Sequence, residues 1–446
     1  MKKLQWKAGL LAAAAGMALT INGGAQSVDA LLDKLVDKGI LTVKEVQTLR
    51  EESDKDFTKA YAAKSGMSDW VSALKFNGDL RGRFEGFYGD NPAFVDRDRF
   101  RYRLRFGVTA NLFDDMEVGF RLTSSEASGT FGGDPISGNT TFADNGSKKF
   151  VYLDLAYGKW SPIHTPQWAG AFTIGKMENP FVFPSTMMFD RDYTPEGAAA
   201  QLAYTLNDHH SLKFNGAAFV LDELSNSGRD PWLAGAQLRW DATWNPHLAT
   251  TLGIAGFSIG NDENLVNGNV PNVNRGNTRN AAGAPLYDFN PIYADAGVTW
   301  TLDKFPRYPG PFPINVSGDY VNNPAAPRDN QGYSAGVTFG KAGKKGTWEL
   351  AYRYESLAAD AWFEEFPESD FGAFYQAQQP NAGFTAPGAG YGSGTNVRGH
   401  WVRFSYSPYD SFTLSVSCFF TELIKPSPAG SETGMTRLQV DGVWKF

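Results

Sequence analysis

The chain predicts an all-β fold: a transmembrane antiparallel β-barrel of about sixteen strands, preceded by a short helical segment. Three observations carry this. From Lys75 to Phe446, segment after segment alternates apolar with polar residues. The connections between segments alternate short and long. The chain stops inside such a segment, on RLQVDGVWKF, Arg437 to Phe446. A period of two with unlike faces is a strand dividing two environments. Runs of about ten residues exceed the five or six usual in globular sheets and suit a tilted membrane span.

Composition agrees. Of 446 residues 14% are aromatic and 48 are glycine, as long strands with interfacial aromatic girdles require. A net charge of −7 and a pI near 5.4 argue against a nucleic-acid partner. The single cysteine, Cys418, leaves no disulfide framework and no Cys-rich metal site. A mean hydropathy of −0.35 does not oppose a membrane barrel, because only every second strand residue meets lipid.

Taken in order, the first 25 residues have the layout of a signal peptide. Lys2, Lys3 and Lys7 precede AGLLAAAAGMALTI, and Gly23, Gly24 and Ala25 offer a cleavage site. No later stretch of 18 apolar residues follows, which removes helical spans. Residues 26–70 read as a periplasmic helical segment. Val28, Leu31, Leu32, Leu35 and Val36 recur at helical spacing, and Gly39 stands where a helix would end. Thr42 with Glu45 forms a capping box for a second helix carrying Val43, Val46 and Leu49. The pair is too short to be stable alone, so its apolar stripe is expected to pack on another copy or on the periplasmic rim; the alternative is a loosely structured linker.

The barrel is expected over 71–446. Phe76, Leu80, Phe84 and Tyr88 share one face of the first strand, and Asp79, Arg81, Arg83 and Glu85 the other. In the second, Phe100, Tyr102, Leu104, Phe106 and Val108 alternate with Arg99, Arg101, Arg103 and Arg105. Leu238, Trp240 and Trp244 oppose Gln237, Arg239 and Asp241; Trp348, Leu350, Tyr352 and Tyr354 oppose Glu349, Arg353 and Glu355. Phe412, Leu414, Val416, Cys418 and Phe420 share a face near the end. Short turns fall at 113–115, 207–210, 245–246 and 407–410, and long polar connections at 127–147, 178–195, 260–289 and 359–395. Both termini then lie at the turn side, which in an outer-membrane barrel is the periplasm. The last strand, with Trp444 and Phe446, must close the barrel on the first.

Arg99 to Leu112 (RFRYRLRFGVTANL), GFRLTSSE from Gly119, TIGKMENPF from Thr173 and the terminal VWKF resemble bacterial outer-membrane porins, nearest the group known as putative porins. The resemblance covers nearly all the chain after Lys75. It implies a water-filled channel for passive diffusion of small hydrophilic solutes or ions, commonly a homotrimer. It also implies recognition of the terminal aromatic by the barrel assembly machinery.

Inside such a barrel, Arg81, Arg83, Arg99, Arg101, Arg103, Arg105 and Arg121 would form a basic stripe. Side chains two apart on a strand stand roughly 7 Å apart. The stripe either sets an anion-favouring field or pairs with Asp79, Glu85 and Glu117 to brace the wall. The resemblance further implies that the 178–195 loop folds inward as a constriction, with Glu178, Asp190, Asp192 and Glu196 facing the arginines; the alternative is a surface loop with solvated charges.

Catalysis finds little support. His164, His209, His210 and His247 fall at turns, and no G-x-S-x-G, H-E-x-x-H or phosphate loop occurs. GDNPAFVDRDR lacks the glycine and terminal glutamate of an EF-hand loop. No cofactor or metal is expected. The alternatives are a barrel enzyme of lipase or protease type and a secreted glycan-binding β-protein.

Overall fold

The computed structural model describes residues 68, 70–128, 132–265, 276–375, 390–426 and 429–446. The signal peptide and nearly all of the helical segment read over 26–70 lie outside these residues.

Sixteen long strands form one closed antiparallel barrel. They are β1 (Val71–Gly89), β2 (Arg97–Leu112), β3 (Met116–Ser124), β4 (Val151–His164), β5 (Trp168–Lys176), β6 (Glu196–Asn207), β7 (His210–Val220) and β8 (Trp232–Asn245). The second half is β9 (Leu248–Gly260), β10 (Ile292–Leu302), β11 (Phe312–Asn322), β12 (Gln331–Gly340), β13 (Trp348–Leu357), β14 (Val397–Tyr409), β15 (Phe412–Leu423) and β16 (Met435–Lys445). Each strand pairs with its sequence neighbours, and β16 pairs with β1 from Asp79↔Lys445 to Gly89↔Met435. Thr140–Thr141 adds a short pairing to β2 above the end of β3. Among the described residues no helix is long and apolar enough to cross a membrane.

The outward face is apolar because the strand period places it so. Phe100, Leu104, Phe106, Leu238, Ile254, Val316 and Val416 are all exposed on it. Trp168, Trp244, Trp300 and Trp444 stand exposed near the turn end, where an interfacial aromatic belt belongs. Cys418 sits on the same outward register. The short connections 113–115, 165–167, 208–209, 246–247 and 410–411 lie at one end. The long ones, at the other end, include L2 (125–150), L3 (177–195), L5 (261–291) and L7 (358–396).

At the seam the chain closes tightly. Gly78 N–H donates to Phe446 O at 2.9 Å, and Phe446 N–H to Gly78 O at 3.1 Å. A Cβ on Gly78 would come within 2.4 Å of the Arg105 carbonyl oxygen and 2.5 Å of the Phe446 ring, so glycine is what fits between that backbone and the terminal aromatic. Leu80 stands opposite Trp444 across the same seam.

Candidate functional site in the barrel lumen

The alternation that turns Phe100, Leu104 and Phe106 outward turns Arg99, Arg101, Arg103 and Arg105 inward. On one wall they join Arg81 and Arg83 of β1 and Arg437 of β16. This wall has two tiers. Toward the loop end, the fully buried Glu85 receives Arg99 Nε at 2.5 Å, Arg437 Nε at 2.9 Å and Gln439 Nε2 at 3.0 Å, with Arg101 Nη1 at 3.7 Å. The guanidiniums of Arg437 and Arg99 lie 4.7 and 5.1 Å from the Phe87 ring centroid. Arg83 grips Asp441 through two bonds of 2.7 and 2.9 Å. Arg101 also donates to Asn139 O at 3.2 Å. Buried pairs of this kind roughly break even against desolvation, but removing one partner costs about 3–5 kcal/mol. This tier therefore braces the wall.

Deeper in the lumen, Arg103 and Arg105 share two carboxylates. Arg103 Nη2 lies 2.9 Å and Arg105 Nε 2.7 Å from Asp79. Arg103 Nη1 lies 2.8 Å and Arg105 Nη1 3.5 Å from Asp192, which comes from L3. Gly138 of L2 packs beside them; a Cβ there would be 2.8 Å from Arg103 Cδ. Arg121 on β3 pairs with Asp154 and with Glu178. Glu117 takes the Tyr157 hydroxyl instead, at 2.7 Å.

The opposite wall is aromatic. Phe219, Leu233, Phe257, Ile259, Tyr293, Val321 and Leu357 are buried there with Phe181, Met187, Met188 and Phe189 of L3 and Trp362, Phe363 and Phe366 of L7. Backbone clamps set L3 on this wall. Val182 N–H donates to Gln237 Oε1 at 3.0 Å, and Val182 O accepts from Gln237 Nε2 at 2.7 Å and from Arg239 at 3.1 Å. Arg353 donates to Pro184 O at 3.1 Å, and Ser185 Oγ donates to Asp319. The Trp362 indole N–H donates to Met188 O at 2.7 Å, joining L7 to L3. L3 thus crosses the lumen from the aromatic wall to Arg103 and Arg105.

L7 crosses it too. Its Asp370 lies 2.9 Å from Arg83 and 2.7 Å from Arg437. Burial works against charge on Asp192, but Arg103, Arg81 and Arg105 hold its carboxyl below the ordinary range. Burial likewise opposes Asp370, and Arg437, Arg83 and Arg81 overcome it. Asp190 has a different role from the one read in the sequence. Its carboxylate oxygens accept the N–H groups of Asp192 and Ser369, each at 2.7 Å, and burial pushes it well above the usual carboxylate range. Burial also raises Glu368. Glu196 opens β6 and pairs with Lys176 at 3.2 Å.

Between these elements the lumen holds two polar cavities of about 520 and 330 Å³. Both are lined by Arg103, Arg105 and Asp192, so this ion-paired cluster borders both spaces. Arg99 and Arg101 line neither. Among the described residues no group of three His, Cys, Asp or Glu side chains could hold a metal ion.

Three contributions escaped the sequence reading: the inward fold of L7, the tether Asp370, and Arg437 as a partner of Glu85. A signal was there. WFEEFPESDFGAF, Trp362 to Phe374, interleaves aromatics with acids as ENPFVFPSTMMFDRDY of L3 does. A loop of that composition can bury one side and ion-pair with the other.

The sequence pattern of a family described as putative porin matches residues 91–287. Among solved structures the chain is similar to OprB of Pseudomonas putida, determined at high pH: 11% identity over 84% of this chain and 94% of that one, TM-score 0.52. It is also similar to the outer membrane channel DcaP of Acinetobacter baumannii, at 12% identity over 84% and 97%, TM-score 0.42. At such identity the OprB likeness is one of fold. No match was found among curated proteins.

Proposed function

We propose that this chain, an outer-membrane porin by family match and by its sixteen-stranded barrel, is a constricted channel with a preference for anions. Passive diffusion of small hydrophilic solutes or ions is the function of such a barrel. The finer reading rests on one observation: L3 and L7 cross the lumen and are tied to the arginine wall by Asp192 and Asp370. Along this wall as a whole Arg81, Arg83, Arg99, Arg101, Arg103, Arg105 and Arg437 face Asp79, Glu85, Glu126, Asp192, Asp370 and Asp441, seven cations against six carboxylates, so the wall keeps a small surplus of positive charge. Fixed cations in a narrow, low-dielectric passage favour anions. Glu178, Asp190, Asp192 and Glu196 act unequally in this reading, with Asp192 as the constricting carboxylate.

In the same reading the turn end, with both barrel termini, faces the periplasm, residues 26–70 form a periplasmic appendage, and the assembly machinery grips the strand ending in Trp444 and Phe446. The resemblance to porins, which are commonly trimeric, supports reading the channel as a homotrimer. The test is conductance of the refolded protein in a planar bilayer under a KCl gradient. Discrete steps with an anion-signed reversal potential are expected. A correctly folded barrel without steps would refute the channel, and a cation-signed potential would refute the anion preference.

A further inference from the structure

The smaller cavity, of about 330 Å³, lies between L3, L7, β1, β2 and β13 to β16. We propose that it is a binding site for a monocarboxylate with an apolar body, a reading that rests on the channel proposed above. Two of its guanidiniums have no ion pair among the described residues. Arg81 donates Nη2 to the neutral Asn139 Oδ1 at 2.6 Å, and its buried Nε has no acceptor. Arg191, exposed to the cavity from L3, makes no hydrogen bond or ion pair with the described residues.

The other charges of the lining are accounted for differently. Arg83 is taken by Asp370 and Asp441, and Arg103 and Arg105 by Asp79 and Asp192. Arg403 pairs with Glu349 at 2.8 Å. Asp190 is satisfied by two backbone N–H groups, and burial raises both it and Glu368, which reduces their repulsion of an anion. Glu355 lines the β13 side. Arg81 is attracted by Asp192 and Asp441, and Arg191 by Glu368, without a direct ion pair to any of them, so a carboxylate entering the cavity can form the charge-assisted hydrogen bonds these guanidiniums do not make.

The apolar half comes from Trp401, Phe371 and Phe419, which also line the cavity. They belong to a second apolar cluster with Ala373, Val397 and Leu423, separate from the one that seats L3. Arg403 lies 5.4 Å from the Trp401 ring centroid. The volume equals about ten waters at roughly 30 Å³ each, enough for a six-membered ring bearing a carboxylate. A polar channel has no need of an aromatic flank beside unpaired guanidiniums. A ligand that is charged at one end and apolar at the other uses both.

The test uses the full-length channel in a planar bilayer with cyclohexanecarboxylate at millimolar concentration. The expected result is carboxylate-dependent interruption of the ion current, absent with the neutral cyclohexanecarboxamide and about tenfold weaker with acetate. Arg81→Gln and Arg191→Gln should each raise the half-blocking concentration about tenfold, the loss of roughly 1.4 kcal/mol. Trp401→Ala should erase the difference between acetate and the ring acid. If Arg81→Gln fails to fold, Arg191→Gln still decides, because Arg191 has no bond among the described residues to lose. Equal block by the carboxamide, equal block by acetate, or an unchanged Arg191→Gln would overturn the proposal. Conductance steps without any block would overturn it while leaving the channel standing; no steps at all would refute the channel.

Discussion

The two walls of this lumen hold the same two loops by opposite physics. On the β7 to β13 side, L3 and L7 bury Phe181, Met188, Phe189, Trp362 and Phe366 in a continuous apolar cluster. On the β1, β2 and β16 side each loop arrives with one carboxylate, Asp192 or Asp370, set between two arginines. Apolar burial is roughly proportional to area and has no direction. A guanidinium pair is directional and changes with charge. The aromatic wall therefore seats the loops, and the arginine wall aims them and sets the charge that a passing solute meets.

The largest effect that bears on this contrast should come from the seat. Trp362→Ala removes a buried indole and its bond to Met188 O, a loss of about 3–5 kcal/mol. Faster proteolysis of L3 and L7 and a larger single-channel conductance are expected; an unchanged conductance would show that the ionic tethers alone hold the loops.

Next comes the brace. Glu85→Gln leaves Arg99 without its counter-charge and Arg437 with Asp370 alone, and should cost about 3 kcal/mol, read as a lower temperature for heat-modified gel migration. A wild-type transition temperature would mean that the loop-end tier is not a brace.

Selectivity should separate the two tiers more finely. Arg103 lines both cavities and Arg101 neither, so Arg103→Ala should move the reversal potential toward cations while Arg101→Ala barely moves it. Equal shifts would erase the distinction. Asp192→Asn should move the potential the other way, because it removes the carboxylate shared by Arg103 and Arg105.

The smallest effect is that of pH. Asp192 and Asp370 have depressed values, so the stability they contribute is present above the ordinary carboxylate range and is lost only as pH falls through their lowered values. Asp190 and Glu368 have raised values, so their contribution is full at acid pH and is lost as pH rises through those values. Current noise should stay low at mildly acid pH and grow on the alkaline side. Noise that grows first on acidification would reverse the assignment.

Much of the barrel was legible because a strand writes its two faces into adjacent residues. Phe100 and Arg101 need no partner to declare opposite sides, and FDD at 113–115 declares its own turn. The stripe from Arg99 to Arg105 was visible for the same reason. Its division into brace and cavity lining was not, because Arg101 and Arg103 are alike in period and differ only in what reaches them: Glu85 and Asn139 for one, Asp79 and Asp192 for the other.

By itself, then, the sequence determined the strand number, the face of each side chain and the alternation of turns and loops, since all three follow from local periodicity. Only the tertiary structure decided which distant residues meet. Closure of β16 on β1 sets Asp441 opposite Arg83, and Arg437 beside Glu85. The landing of L7 brings Asp370 to the same place from the far side of the barrel. Those meetings depend on the circumference of a closed sheet and on which wall offers a loop an apolar seat, and neither is a property of any short stretch of chain.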